Sequence, residues 1–195
     1  MGKTRLEAFS DGVFAIIITI MVLELKVPHG EDLAALAPLW PMFLSYVLSF
    51  VVVGIYWNNH HHMLHACARV NGSILWANMH LLFWLSLFPF ATGWMGENHF
   101  DRLPSALYGA VLLLAAIAYW VLQHTIIASQ GNASLLKRAV GRDWKGILSP
   151  AVYVIGIVAS LWIKWAGPVC YACVTLMWFI PDRRISRELE RTEAH

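Results

Sequence analysis

Four side chains that could form ion pairs or hydrogen bonds stand at the start of the first apolar segment, at Arg5, Glu7, Ser10 and Asp11. Ionisable groups inside a membrane span are costly, and where they occur they usually serve a function. Lipid offers them no hydrogen-bond partner, so the partners must lie on neighbouring helices. The sequence therefore predicts that this segment packs against polar side chains of other helices.

A stripe of residues at spacings of three and four follows the same segment. At about 3.6 residues per turn, Ser10 and Asp11 point away from a face that carries Arg5, Phe9, Gly12, Ile16, Thr19, Ile20, Leu23 and Val27. Repeated around a symmetry axis, Ile16, Ile20 and Leu23 would form a hydrophobic constriction that gates by dewetting, and Thr19 would add a ring of oxygens. The alternative is an ordinary helix contact, because aliphatic stripes with a threonine occur in bundles of any function.

The composition indicates the surroundings of these side chains. Of the 195 residues, 58% are hydrophobic and only 13% are charged, whereas about a quarter of the residues in soluble domains are charged. Apolar stretches that could cross a hydrocarbon core of ~30 Å occupy residues 6–26, 39–58, 73–94, 104–127, 147–165 and 167–181. We predict an all-α polytopic membrane protein with six transmembrane helices in residues 1–182 and a charged cytoplasmic tail in residues 183–195.

The basic residues predict the orientation of these helices, since cytoplasmic loops carry an excess of Lys and Arg. With the N-terminus inside, eleven of the fourteen basic residues lie on the inner side, and the outer side holds Lys26, Arg102 and Lys164. This distribution predicts a multi-pass protein of the cell membrane with both termini in the cytoplasm. Its surroundings would be membrane lipid, and we expect no nucleic-acid partner.

A cluster of histidines marks the inner end of the second predicted helix. His61 and His65 are one turn apart and could share a metal, but no Asp or Glu lies at ligand spacing, and we expect neither a metal site nor a cofactor. The interpretation we favour is that one imidazole, together with Trp57, Asn58 or Asn78, completes the hydrogen-bond network of the first helix. A pH response of His60 and His61 is a further hypothesis, because imidazoles titrate near neutral pH.

A secondary transporter or a proton-conducting membrane protein is the alternative to an ion channel, since intramembrane polar residues also mark substrate paths. Transporters of this kind usually carry inverted repeats and helices broken near the midplane. This sequence has no internal repeat, and its clear mid-span breaker is Pro89. An enzyme is not expected, because the sequence has no Ser/His/Asp order, no paired carboxylates within a span and no phosphate-binding loop.

Motifs in the first three predicted helices match a known pattern. The most specific is R-x-x-x-F-S-D, formed here by Arg5, Phe9, Ser10 and Asp11, and it continues through residues 12–16, Thr19 and residues 22–28. Further matches are Tyr-Trp-Asn-Asn-His-His at residues 56–61 and Leu-Phe-Pro-Phe-Ala-Thr at residues 87–92. With these motifs the chain resembles the bacterial relatives of the transmembrane protein 175 family of endosomal and lysosomal potassium channels.

The resemblance implies a potassium-permeable cation channel of the bacterial inner membrane, in which four identical subunits surround a pore lined by the first helix. By the family's pattern, Ile16 is the narrow hydrophobic gate, Ile20 and Leu23 form further apolar rings, and Thr19 is a candidate for ion selectivity. No cofactor is implied, and the permeant ion is potassium. The polar network that we expect to brace the pore helix comprises Arg5, Phe9, Ser10, Asp11, Trp57, Asn58, His60, His61 and Asn78.

Overall fold

The computed structural model describes residues 2–131, 136 and 144–179 of the chain. Helices and turns make up these residues, and no strand occurs among them. The elements are α1 (Lys3–Leu23), a 3₁₀ helix (Leu33–Leu39), α2 (Trp40–His65), α3 (Gly72–Ser86), α4 (Phe88–Glu97), α5 (Arg102–Gln130), α6 (Trp144–Ser160) and α7 (Ala166–Phe179). Because α3 and α4 form one bent segment, the described residues contain six apolar helical segments, and this all-helical arrangement confirms the predicted all-α membrane fold.

Four segments of the described chain are long and apolar enough to cross a membrane: Lys3–Leu23, Leu33–His65, Gly72–Glu97 and Arg102–Gln130. The apolar helices α6 and α7 are shorter, with 17 and 14 residues. At a rise of about 1.5 Å per residue, these two helices reach less far than the other four spans. The predicted charged tail, residues 183–195, lies outside the described residues.

The bend between α3 and α4 follows from Pro89. Proline has no backbone N–H, and its ring crowds the carbonyl four residues earlier, which here belongs to Leu85. The chain makes a turn at Leu87, and Pro89 then occupies the first turn of α4, where a missing N–H costs little. The mid-span breaker predicted from the sequence therefore bends this span and does not end it.

The second helix differs from its predicted bounds, because α2 continues to His65 and not only to residue 58. The additional residues contain no Gly or Pro that would stop a helix. His62 and His65 lie in the last turn, where imidazoles suit the negative end of the helix dipole. The histidine cluster is consequently part of a rigid helix.

α1 packs against helices from the first half of the chain. α1 contacts α2, α3 and α4, whereas α6 packs mainly on α5 and α7, and α7 also contacts α2. A buried apolar cluster runs through the bundle and includes Phe14, Met21, Leu81, Phe88 and Tyr108. The first helix is thus held from one side only by the described residues.

Gly109 of α5 allows the buried Tyr171 of α7 to approach the helix backbone. A Cβ atom at this position would collide with the Tyr171 hydroxyl and would lie 2.8 Å from Cγ1 of Ile157. Because overpacking a filled core is destabilising, we expect Gly109→Ala to lower the free energy of unfolding by about 1–3 kcal/mol. Denaturant unfolding in detergent micelles measures this loss.

The control for this prediction is Gly54→Ala in α2, where an added Cβ has no atom of another residue within 4 Å. Alanine is the better helix former by about 1 kcal/mol, so this variant should be as stable as the wild type or more so. Equal losses in both variants would contradict the packing of Tyr171 on Gly109.

Candidate functional site

The stripe of α1 that the sequence singles out stays on the surface of the described chain. Ile16, Ile20 and Leu23 leave 57%, 41% and 81% of their surface exposed, and Phe9 and Thr19 are exposed as well. The opposite face is buried against the bundle and consists of Leu6, Ser10, Phe14, Ile17 and Met21. α1 therefore has one packed face and one unpacked aliphatic face.

Thr19 supplies a hydroxyl on this stripe. Its Oγ1 donates a hydrogen bond to the carbonyl oxygen of Ile16 over 2.9 Å, as hydroxyls within helices commonly do toward the preceding turn. A hydroxyl has one proton and two lone pairs, so Oγ1 keeps lone pairs after this bond is made. Thr19 can consequently offer an oxygen, and not a proton, to an ion beside the stripe.

A chain of buried hydrogen bonds ties the packed face of α1 to α2 and α3. Ser10 Oγ donates to the carbonyl oxygen of Leu6 over 2.9 Å and accepts from Asn78 Nδ2 over 3.0 Å. Asn78 Oδ1 then pairs with His60 Nε2 over 2.7 Å. The side chains of Ser10, Asn78 and His60 are almost completely buried, so this chain joins three helices inside the bundle.

The protons in this chain follow from the donor and acceptor inventory. The single hydroxyl proton of Ser10 goes to a carbonyl, so Ser10 accepts from the amide NH2 group of Asn78. The amide oxygen of Asn78 therefore faces His60, and His60 donates from Nε2. Its ring also packs on Phe14, with ring centroids 5.5 Å apart, which fixes its orientation.

Asp11 makes a separate contact at the surface of the described chain. Its Oδ1 accepts a hydrogen bond from Trp57 Nε1 over 2.9 Å, and bonds to ionised acceptors are stronger than neutral ones. The other members of the predicted network are placed differently. Arg5, Asn58 and His61 make no side-chain hydrogen bond within the described part of the chain, and Phe9 is about half exposed.

A second polar cluster, which the sequence did not reveal, lies behind the outer half of α1. Ser49 Oγ is 2.7 Å from Thr92 Oγ1 and 3.0 Å from the Tyr108 hydroxyl. Thr92 Oγ1 also lies 4.0 Å from the sulfur of Met21 on α1. This cluster joins α2, α4 and α5 beside the pore-helix candidate. The sequence feature that could have indicated this cluster is the presence of single hydroxyl side chains on otherwise apolar helices.

Acidic side chains surround the outer end of α1. Lys26 Nζ is 2.6 Å from Glu97 Oε1, and the hydrogen bond and charge of Glu97 raise the pKa of Lys26 above its ordinary value. A cavity of about 390 Å³ opens beside this pair and is lined by Glu24, Trp94 and Glu97 among others. The C-terminal end of the stripe therefore lies next to carboxylates.

Comparison with known proteins identifies the family of this fold. Residues 5–89 match the family model described as endosomal/lysosomal potassium channel TMEM175. A potassium channel from a Chryseobacterium species is 54% identical over 190 residues, which cover 97% of this chain and 99% of the relative. The chain belongs to the TMEM175 family. The resemblance seen in the motif of Arg5, Phe9, Ser10 and Asp11 is thereby confirmed.

Two more distant TMEM175 proteins extend this comparison. The crystal structure of a lysosomal potassium-selective channel TMEM175 homolog from Chamaesiphon minutus superimposes with a TM-score of 0.79 at 26% identity, covering 92% of this chain and 97% of that one. Mouse endosomal/lysosomal proton channel TMEM175 is 30% identical over 203 residues, which cover 96% of this chain and 38% of the mouse protein. These relatives and the fold are those of channels, and not of enzymes.

The TMEM175 match covers the part of the chain that holds the stripe and the buried hydrogen bonds. It begins at Arg5 and ends at Pro89, so it includes Ser10, His60 and Asn78 but not Tyr108. Within the described residues, no group of three or more His, Cys, Asp or Glu side chains could hold a metal ion. Side-chain hydrogen bonds and the apolar stripe are therefore the features from which a function can be argued.

Replacement of Asn78 tests whether the buried chain holds α1 in place. Asn78→Leu is similar in volume but leaves Ser10 and His60 without their shared partner. An unpaired buried polar group costs about 1–3 kcal/mol, so we expect a loss of at least that size in the free energy of unfolding. Thermal unfolding of the purified protein measures it.

Asn98→Ala is the matched control for this prediction, since the Asn98 amide bonds only to the Trp94 carbonyl oxygen of its own helix end and is exposed. Surface substitutions of this kind usually change stability by no more than about 0.5 kcal/mol. A loss for Asn78→Leu as small as that of the control would show that the buried chain does not hold α1.

Proposed function

We propose that the chain is one subunit of a homotetrameric potassium channel, in which α1 from each of four copies lines a central pore. The observation that carries this proposal is the difference between the two faces of α1, of which one is packed and the other is exposed. Its polar and bulky face is fully satisfied inside the bundle, while Ile16, Ile20 and Leu23 remain uncovered. Membership of a potassium-channel family supports the function, and one pore helix per chain requires several copies to enclose a pore.

The aliphatic stripe gives this pore a hydrophobic gate. Rings of Ile16, Ile20 and Leu23 offer no hydrogen bonds, so water leaves a narrow passage between them, and an ion would have to give up its hydration to enter the closed passage. Ile16 has the central position on α1 and forms the narrowest ring in the proposal. Conduction then requires the four copies of α1 to move apart until a continuous column of water fills the passage.

Thr19 is the proposed selectivity ring. Its oxygen retains lone pairs after bonding to Ile16, and four such oxygens can replace part of the water around a potassium ion. Hydroxyls are weaker ligands than a cage of backbone carbonyls, so the preference for potassium over sodium would be modest. The permeant ion is the sole ligand in this proposal, and no cofactor takes part.

The polar network acts on conduction through the position of α1. Ser10, Asn78 and His60 fix the packed face, and the Asp11–Trp57 bond fixes the helix beside its neighbour. In the proposed tetramer, Arg5, Phe9, Asn58 and His61 would face an adjacent subunit. The protein would lie in the bacterial inner membrane with both termini in the cytoplasm, as the distribution of basic residues favours.

Proton conduction is the second candidate, because the mouse relative carries the name of a proton channel. A secondary transporter is the third. The three functions differ in the ion that sets the reversal potential and in whether current passes in discrete steps.

Planar-bilayer recording of the purified protein under a potassium/sodium gradient, with and without a pH gradient, separates these functions. The proposal expects discrete current steps whose reversal potential lies toward the potassium equilibrium value. A reversal potential that follows the pH gradient would assign proton conduction. Slow, saturable flux without steps would overturn the channel proposal in favour of a transporter.

Ile16→Asn tests the gate. A polar ring keeps water in the constriction, so we expect the current of the closed channel to rise by about ten-fold or more, equivalent to a barrier lower by ~1.4 kcal/mol. Val22→Asn is the control for polarity, because Val22 is also exposed on α1 but lies off the stripe. Equal leak currents in wild type and Ile16→Asn would place the gate elsewhere.

Asp11→Ala tests the bracing role of the acidic side chain. Removal of the carboxylate leaves Trp57 Nε1 without its acceptor, and bonds to charged groups contribute about 1.5–3 kcal/mol. We expect the tetramer to dissociate at lower temperature in detergent, measured by size-exclusion chromatography, while surviving channels keep near-normal selectivity. Glu7→Ala, one turn earlier on α1 and without a side-chain hydrogen bond in the described residues, should leave assembly intact. Lost selectivity with unchanged assembly would contradict the role.

A further inference from the structure

A cavity lies on the side of the bundle away from the stripe, between α2, α5, α6 and α7. Its volume is about 60 Å³, and one buried water needs about 10–15 Å³ on this scale. Its lining includes polar side chains from two helices, Tyr56 and Asn59 from α2 and Gln123 from α5. The cavity therefore has room for the head group of a small molecule.

Gln123 is the strongest indication of a ligand. Its side chain is only 5% exposed, and within the described residues its amide makes no hydrogen bond. The Tyr56 hydroxyl and the Asn59 amide likewise have no hydrogen-bond partner there. Buried polar groups in native proteins are nearly always paired, so the buried Gln123, with the half-buried Tyr56 and Asn59 beside it, points to an occupant that pairs with it.

Two other polar side chains of the cavity wall, Ser149 and Thr175, already have hydrogen-bond partners within the protein. Ser149 accepts from Trp178 Nε1 over 2.8 Å and donates to the Lys145 carbonyl oxygen over 2.7 Å. Thr175 donates to the Tyr171 carbonyl oxygen over 2.8 Å. Among the described lining residues, the hydrogen-bonding capacity that remains for an occupant includes the side chains of α2 and α5 and the hydroxyl of Tyr153 on α6.

The described lining residues include no charged side chain, and several are aromatic, among them Tyr119, Trp120, Tyr153 and Trp178. A charged ligand would lose its hydration without gaining a counter-ion from this lining. Trp120 belongs to the wall and leaves 52% of its surface exposed, so the cavity lies next to an apolar part of the surface of the described chain. The lining therefore suits a neutral head group on an apolar chain.

We propose that this cavity binds a neutral amphiphile from the bilayer, whose hydroxyl or ester group pairs with Gln123, Asn59 and Tyr56. The ligand would touch α2 at the turn that carries the inner contacts of α1. Tyr56 directly precedes Trp57, the partner of Asp11, and Asn59 directly precedes His60, the partner of Asn78. An occupant of the cavity thus rests against the helix that positions α1.

Binding of 1-monooleoylglycerol to the purified full-length protein tests this site, measured by native mass spectrometry over a titration in detergent. Ala116 lines the cavity, and Ala116→Trp fills it, so this variant should bind at least about ten-fold more weakly. Gln123→Leu keeps the volume but removes the hydrogen bonds and should weaken binding by about ten-fold. Ile117→Trp adds the same ring to an exposed neighbouring position and should stay within about two-fold of wild type.

Three results would overturn the proposal. Equal binding by wild type and Gln123→Leu would place the lipid elsewhere on the protein. Tighter binding of oleate than of monooleoylglycerol would show that the site prefers an anion. Absence of saturable binding to the folded wild type would mean that the cavity holds water only. None of these readouts depends on ion conduction, so they are independent of the proposed channel function.

Discussion

The buried hydrogen bond between Ser10 and Asn78 is the contact on which the placement of α1 depends. In a bundle surrounded by lipid, a polar side chain must find its partner inside the protein, because no water competes for it. Ser10 uses its proton on its own helix, so it needs a donor from outside, and Asn78 supplies one. The amide oxygen of Asn78 is at the same time paired with His60. Three helices are therefore fixed at one level by a directional chain, which apolar packing alone would not achieve.

Further along α1, polar side chains again have to find their partners inside the bundle, but here α1 itself takes little part. Beside the outer half of the helix, Ser49, Thr92 and Tyr108 satisfy each other, and α1 contributes only the sulfur of Met21. The inner level thus fixes the rotation of α1 by a directional hydrogen bond, whereas the outer level provides a mostly apolar surface against it. The exposure of Ile16 and Ile20 is a consequence of what the opposite face has to bury.

The sequence was sufficient to predict six apolar helical segments, because each is a long run of apolar residues. It also predicted the two faces of α1, because a period of 3.6 residues determines which residues lie on the same side of a helix. It also indicated that Ser10 and Asp11 need polar partners, and it named Trp57, Asn78 and the histidines as candidates. It did not reveal the cluster of Ser49, Thr92 and Tyr108. A hydroxyl on an apolar helix can bond to its own backbone, as Ser45 and Ser86 do, so its residue type does not tell whether another helix is involved. The partners across a bundle depend on tertiary packing, which periodicity does not specify.

The continuity of α1 limits how the proposed pore could handle ions. From Lys3 to Leu23 the backbone is helical, so its carbonyl oxygens are engaged within the helix and cannot form a cage around a dehydrated ion. In the stripe, only Thr19 then offers an oxygen at the depth of the aliphatic rings. An ion passing Ile16 has to keep most of its water, and the radius of the pore decides whether it can. That radius is set by how far α1 leans from the axis, which in turn is set by the bonds of Ser10 and Asp11 to helices behind it. Side chains that never face the ion would in this way control its passage.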